Sequence, residues 1–102
     1  MADLTGKQRK QLRALAHGLA PVVQVGKVGV TPALAAQVGR ELEAHELIKV
    51  RFLEGKREKD RLAAELEAAT GAAEVGRVGH VSVLYRPHPD PAKRKIRFVP
   101  ED

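Results

Sequence analysis

The chain has 102 residues, a formal net charge of +5 and no cysteine. That length suits one domain able to bury roughly 60–70% of the surface its unfolded chain exposes. Without thiols there can be no disulfide or thiolate metal site, and no apolar run is long enough for a transmembrane helix. The opening Met1-Ala-Asp-Leu-Thr5 lacks the charged-then-apolar layout of a signal peptide, so a soluble, cytoplasmic protein is expected.

Charge is gathered at the two ends. Residues 4–17 carry Lys7, Arg9, Lys10 and Arg13 with no acid, and residues 86–97 carry Arg86, Lys93, Arg94, Lys95 and Arg97 against Asp90 alone. Basic segments at both ends of a small domain point to a polyanionic partner, nucleic acid being the commonest.

Thr5-Gly-Lys-Gln8 is a capping-box pattern, which predicts a helix from about Gly6 to His17. Leu12, Leu15, Ala16 and Leu19 follow the i, i+3, i+4, i+7 spacing of a buried stripe. Lys7, Lys10 and Arg13 then point away from the stripe and Arg9 flanks it. Gly18 is placed to close the helix in a left-handed cap.

The next stretch, Pro21-Val-Val-Gln-Val-Gly-Lys-Val-Gly-Val-Thr-Pro32, is the most informative. Val22–Val25 suits a short strand, and Thr31-Pro32 reads as an N-cap followed by proline at the first helical position. Gly26-Lys27-Val28-Gly29 therefore joins a strand end to a helix start. Unpaired N–H groups and the positive end of the dipole favour an anion there, and bare glycines allow a phosphate backbone to come close. An ordinary strand-to-helix turn is the plain alternative.

A second helix is expected over about Pro32–Ala44, with Leu34, Ala35, Val38 and Leu42 inward. Ile48, Val50 and Phe52 then alternate with Lys49 and Arg51, which predicts a strand with one apolar and one wet, cationic face. Residues 54–61 are a solvated mixed-charge run with Lys56/Asp60 and Arg61/Glu65 at i, i+4. They lead into a third helix ending near Thr70-Gly71, with Leu62, Ala63, Leu66 and Ala69 inward. Two strands follow, about Glu74–Val78 and Val81–Arg86. Gly79-His80 between them suits a type II′ hairpin, and Gly76 suggests a bulge or a close approach. Pro87–Pro91 reads as an irregular linker, and Ile96, Phe98 and Val99 as a short extra strand. The order α-β-α-β-α-β-β describes one compact α/β domain over residues 1–87 with a mixed four-stranded sheet, followed by a basic, proline-containing tail at 88–102.

Catalysis is hard to assemble from these residues. Ser82 is the only serine and lies mid-strand; His17, His45, His80 and His88 are scattered, without metal-ligand spacing. Glu41, Glu43, Glu46 and Glu58 read as ordinary surface carboxylates. Gly26–Gly29 lacks the longer glycine spacing and the Lys-Ser/Thr ending of a P-loop. The aromatics are Phe52, Tyr85 and Phe98, too few for a base-stacking sheet; Tyr85 reads as packing at a sheet edge, with stacking on one base as the alternative. Contacts to a nucleic acid should therefore be mainly to its sugar–phosphate backbone.

Four motifs in order, Leu12-Arg-Ala-Leu-Ala-His17, Pro21–Gly29, His45-Glu-Leu-Ile-Lys-Val50 and Val83-Leu-Tyr-Arg-Pro87, make the run from Lys7 to Pro87 resemble a stand-alone bacterial CRM domain of the YhbY type. The resemblance implies a fold similar to the C-terminal domain of translation initiation factor three, RNA binding, and association with the precursor of the large ribosomal subunit. It also implies that Gly26, Lys27, Val28 and Gly29 form the RNA-binding loop. The reading that follows is a non-catalytic, monomeric RNA-binding factor with no cofactor, metal, membrane or small-molecule substrate. Lys7, Arg9, Lys10 and Arg13 extend the positive track, with Lys49, Arg51 and Arg86 as further members. A module docking on a ribosomal protein or translation factor is the alternative, and a DNA-compacting protein a third.

Overall fold

The computed structural model describes residues 4–53 and 58–99. Helix α1 spans Gly6–Ala16, strand β1 Pro21–Val25, α2 Pro32–His45, β2 Leu47–Phe52, α3 Lys59–Thr70, β3 Ala73–Val78 and β4 Val81–Tyr85. The strands form one sheet in the order β1-β2-β4-β3. β1 and β2 are parallel, joined through α2, while β4 pairs antiparallel with both β2 and β3. This is the α/β fold with a mixed four-stranded sheet that the element order predicts.

Alternation along β2 sorts the molecule into two cores. Ile48, Val50 and Phe52 pack with Val23, Val25 and Leu84 against Val38 and Leu42 of α2 and Leu62, Ala63 and Leu66 of α3. Leu47 turns the other way, joining Val75, Val83 and Tyr85 beneath Leu12 and Ala16 of α1. The second sheet face is therefore only partly wet. Helix α1 roofs its β3/β4 side and leaves Arg51 exposed and Lys49 half-buried. Tyr85 lies on a central strand, buried, with Phe98 edge-on at 5.8 Å between ring centroids, rather than at a sheet edge.

Local signals set most boundaries. Thr5 and Gln8 close the capping box on α1, and the Thr31 hydroxyl accepts the Leu34 N–H at 3.1 Å to cap α2. Gly71 ends α3 in the left-handed region at φ +75°. Gly79 has φ +58° while His80 has no positive φ, as a type II′ hairpin requires. Gly76 carries out both of its expected roles. The β3/β4 register shifts between Glu74 and Gly76, and a Cβ on Gly76 would lie 2.8 Å from Arg13 Cδ. The bulge leaves edge-strand carbonyls for α1 to satisfy: Arg9 Nη1 donates to the Glu74 carbonyl and Arg13 Nη1 to that of Val75, each at 3.1 Å.

Five further expectations are corrected. Leu15 and Leu19 are exposed, because α1 touches the sheet along the narrower Leu12/Ala16 line. With Val22 they border an apolar groove of about 480 Å³. Gly18 is not left-handed; α1 closes at His17, whose N–H reaches back to the Ala14 carbonyl. In α3, Thr70 is buried where Ala69 was expected, its hydroxyl donating to the Leu66 carbonyl at 2.6 Å. Residues 94–99 form no strand; they run extended across α1 and the second core. Glu46, finally, is not a surface carboxylate. It is 1% exposed, at φ +65°, and accepts N–H bonds from His88 at 2.8 Å, Lys95 at 2.5 Å and Ile96 at 3.0 Å. Arg61 pairs with Glu65 at 2.8 Å as expected, whereas the Lys56–Asp60 pair lies outside the described residues.

Candidate nucleic-acid interface

Register places the glycine loop. Val25 pairs with Phe52, so Gly26–Gly29 emerges at the Phe52 end of the sheet, beside the start of α3. The loop closes on itself through a bond from the Gly29 N–H to the Gly26 carbonyl at 3.0 Å. This puts Lys27 and Val28 at the tip, and Val28 is 84% exposed. Among the described residues, nothing covers that side chain.

The two glycines differ in what requires them. Gly29 has φ +79°, a conformation costing an L-residue roughly 1–2 kcal/mol, so the turn itself calls for glycine. Gly26 has no such φ, and a Cβ built on it would meet nothing within 4 Å. Its missing side chain is not demanded by folding. It leaves the chain bare at the point where a ligand would approach. At the start of α2, Thr31 takes the Leu34 N–H with its hydroxyl and the Ala35 N–H with its carbonyl, and Pro32 has none. Among the described residues, the Ala33 N–H at the start of α2 makes no hydrogen bond.

A concavity of about 570 Å³ lies between the loop and α3. It carries three charged residues that sequence reasoning missed at this site, because Glu58, Arg61 and Glu65 read only as solvated helix surface. Arg61 bridges Glu58 at 3.2 Å and Glu65 at 2.8 Å, offsetting one of the two negative charges beside Lys27. The α3 wall is thus mildly repulsive to a phosphate, and the Lys27/α2 side is the attractive one.

The remaining candidates are not all brought together. Lys49 and Arg51 lie on the α1 face of the sheet, Arg51 being opposite Gln24 near the loop end. Lys7 and Lys10 are exposed on α1. Arg9 and Arg13 have one Nη each tied to β3. Arg86 is at the opposite end of the sheet, where Leu47 pairs with Tyr85, and donates to the Thr70 carbonyl at 2.6 Å and the Gly39 carbonyl at 3.0 Å, joining α3 to α2. Of the residues outside the loop, Arg51 on the strand next to β1 is the exposed cation whose register puts it near the loop end.

Ser82 has a carboxylate neighbour that the sequence pattern did not suggest. Its hydroxyl donates to Glu74 Oε2 at 2.6 Å. The pair is not an activated nucleophile. Ser82 is fully buried, and Arg77 grips both Glu74 oxygens at 2.9 and 2.8 Å, with its own pKa held up by Glu74 and Asp60. Among the described residues, no group of three His, Asp or Glu side chains is arranged to hold a metal ion, and no helix is long and apolar enough to cross a membrane.

The CRS1/YhbY (CRM) domain model matches residues 4–86. The chain is 42% identical over 88 residues to a protein of Haemophilus influenzae named "RNA-binding protein", covering 85% of this chain and 89% of that one. It is 42% identical over 84 residues to "Probable RNA-binding protein YqeI" of Bacillus subtilis, covering 81% and 88%. A solution structure from Staphylococcus aureus, described as that of a candidate RNA binding protein, superposes with a TM-score of 0.77 at 36% identity, covering 93% of this chain and all of that one. With that domain model matching residues 4–86 and relatives 42% identical over most of both chains, the chain belongs to the CRS1/YhbY (CRM) domain family.

Proposed function

We propose that this protein is a non-catalytic RNA-binding factor that grips the RNA backbone at Gly26–Gly29 and acts in assembly of the large ribosomal subunit. The observation that carries the binding site is Gly26, a glycine the turn does not need, next to an exposed Lys27 and Val28. A phosphate there meets the Lys27 ammonium and the N-terminal end of α2. Lys49 and Arg51 lead from the loop toward Lys7 and Lys10. Contacts of this kind position an RNA without reading its sequence. The names of the relatives support RNA as the partner. The ribosomal role rests on the family resemblance, and the protein is proposed to act as a cytoplasmic monomer.

Gly26→Ala separates this reading from the plain turn. Stability should change by no more than about 0.5 kcal/mol, since the added methyl meets open space. Affinity for single-stranded RNA should fall, because the methyl stands where the backbone approaches. Thermal unfolding and an RNA titration check both halves, and unchanged RNA affinity would favour the plain turn. Crosslinking in cells followed by sequencing of the attached RNA tests the ribosomal part. Recovery of large-subunit ribosomal RNA supports it, and recovery of unrelated transcripts does not.

A further inference from the structure

At the end of the sheet away from the glycine loop, the tail folds back over α1 and encloses a groove of about 710 Å³. Leu4, Ile96 and Phe98 supply apolar lining, Gln8 stands at one side, and Arg94 and Arg97 add two positive charges. The groove lies largely outside the matched family region, since Arg94, Ile96, Arg97 and Phe98 all follow residue 86.

The tail is held there by specific bonds. Glu46 accepts the backbone N–H groups of His88, Lys95 and Ile96. Gln11 donates to the Arg97 carbonyl at 2.9 Å and accepts from the Val99 N–H at 3.1 Å. These bonds use the tail's main chain; of its cationic side chains Lys95 is tied to the Ala44 carbonyl at 2.7 Å, and the two arginines are left largely available. Arg94 spends only its Nε, on the His88 carbonyl at 2.8 Å. Among the described residues the Arg97 guanidinium has no hydrogen-bond or ion-pair partner, and neither arginine is paired with a carboxylate. The Arg94 charge acts on Glu46, whose oxygens are taken up by the three backbone N–H groups. Asp90 is turned to its own local cap, accepting from the Ala92 N–H. Gln8 uses its Oε1 on the Thr5 N–H, which leaves its amide NH₂ to donate elsewhere.

We infer that this groove is a second RNA contact, taking one unstacked nucleotide of a single strand. Its phosphate sits on Arg94 and Arg97, and its base lies over Ile96 and Phe98 with its edge toward the Gln8 amide. The inference rests on the RNA-binding reading above. Guanidinium groups suit phosphate, an apolar floor suits a base face, and a volume of this size accommodates a nucleotide. Charge complementarity chooses RNA over an uncharged peptide. An acidic protein segment is the competing occupant that the test must separate.

The test is binding of an oligouridylate across a salt series to the parent, to Arg97→Gln, to Arg94→Gln with Arg97→Gln, and to Lys27→Asp with Val28→Asp. Arg97→Gln removes a side chain that no described contact uses, so the fold should be unaffected. The arginine double variant should lose affinity by on the order of tenfold, and its salt slope should fall by about 1.4, roughly 0.7 for each single-strand phosphate contact. Arg97→Gln alone should lose about half of that slope. In the loop variant, added oligouridylate should still shift the Arg97 and Phe98 amides and the Gln8 side-chain amide. Parent-like affinity and slope in both arginine variants, with the loop variant defective, would overturn the groove and leave the loop reading standing. No RNA binding by the parent would instead remove the RNA-binding reading, and the groove with it. Displacement of oligouridylate from the groove by polyglutamate at equal charge concentration would assign it to an acidic protein segment.

Discussion

Lys27→Asp combined with Val28→Asp should abolish most RNA binding and leave a folded protein. Both side chains project from the tip of a closed turn, and Val28 is almost fully exposed. The fold therefore loses no packing, and the stability change should stay near 0.5 kcal/mol per substitution. Negative charge just ahead of α2 even interacts favourably with the helix dipole, by roughly 0.3–1 kcal/mol. Toward RNA the sign reverses. One lysine–phosphate contact is removed and two carboxylates are placed against a phosphate, beside Glu58 and Glu65, which are already there. A loss of on the order of a hundredfold corresponds to about 2.8 kcal/mol, within the several kcal/mol that like-charge juxtaposition costs. Thermal unfolding and RNA affinity measured together on the double variant check the separation. A folded variant with near-parental affinity would take the site away from the loop.

Glu46→Gln should be the most destabilising polar change in the protein, at roughly 3 kcal/mol, the size of two charge-assisted hydrogen bonds. The carboxylate is buried, which by itself disfavours its charged form. The N–H bonds from His88, Lys95 and Ile96, with the Arg94 charge nearby, outweigh that penalty and hold its pKa below the usual 4.5. A depressed carboxylate pKa stabilises the fold above the unfolded-state value, and that stability disappears as pH falls through the folded one. The gap between parent and Glu46→Gln should thus be full at neutral pH and narrow below about 4.5. Near neutral pH the midpoint should drop by roughly 12–24 °C, at 4–8 °C per kcal/mol for a domain of this size. Tyr85 provides a local readout, because it is the only tyrosine and there is no tryptophan. Burial and then the Glu46 charge raise its pKa, against an opposing effect of Arg94. In the variant its titration should move down, by loss of the Glu46 charge and by exposure as Phe98 leaves. An unchanged tyrosine titration together with a parental midpoint would show that Glu46 does not hold the tail.

What the sequence disclosed depended on whether the cause of a feature was local. The capping box of α1, the Thr31-Pro32 start of α2, the Gly79 hairpin and the Gly76 bulge are all written within a few residues, and each forms as read. Gly26–Gly29 belongs with them, its position at a strand-to-helix turn being plain from its flanks. Glu46 does not. Its partners are backbone groups of the tail, and no spacing around residue 46 announces them. The same bonds explain why the extra strand fails to form. Ile96 and Phe98 do alternate toward one core, but the N–H groups of Lys95 and Ile96 go to Glu46 and that of Val99 to Gln11, so they are not used in a ladder. Leu15 and Leu19 misled for a related reason. Their periodicity is helical, but how wide a stripe is buried depends on the surface α1 meets, and Leu12 with Ala16 already fills that contact. The reading of Arg13 as outward and Arg9 as flanking charge missed their bonds to β3, because the carbonyls they satisfy are left open only once Gly76 bulges.

The measurement that tests the central claim most directly is a residue-by-residue map of backbone amide shifts as single-stranded RNA is added to the parent at low salt. The account predicts that the largest shifts fall on Gly26, Lys27, Val28, Gly29 and Ala33, and that they collapse as salt rises, since phosphate contacts release counterions. RNA that binds while these amides stay still, with shifts confined to other surfaces, would contradict it.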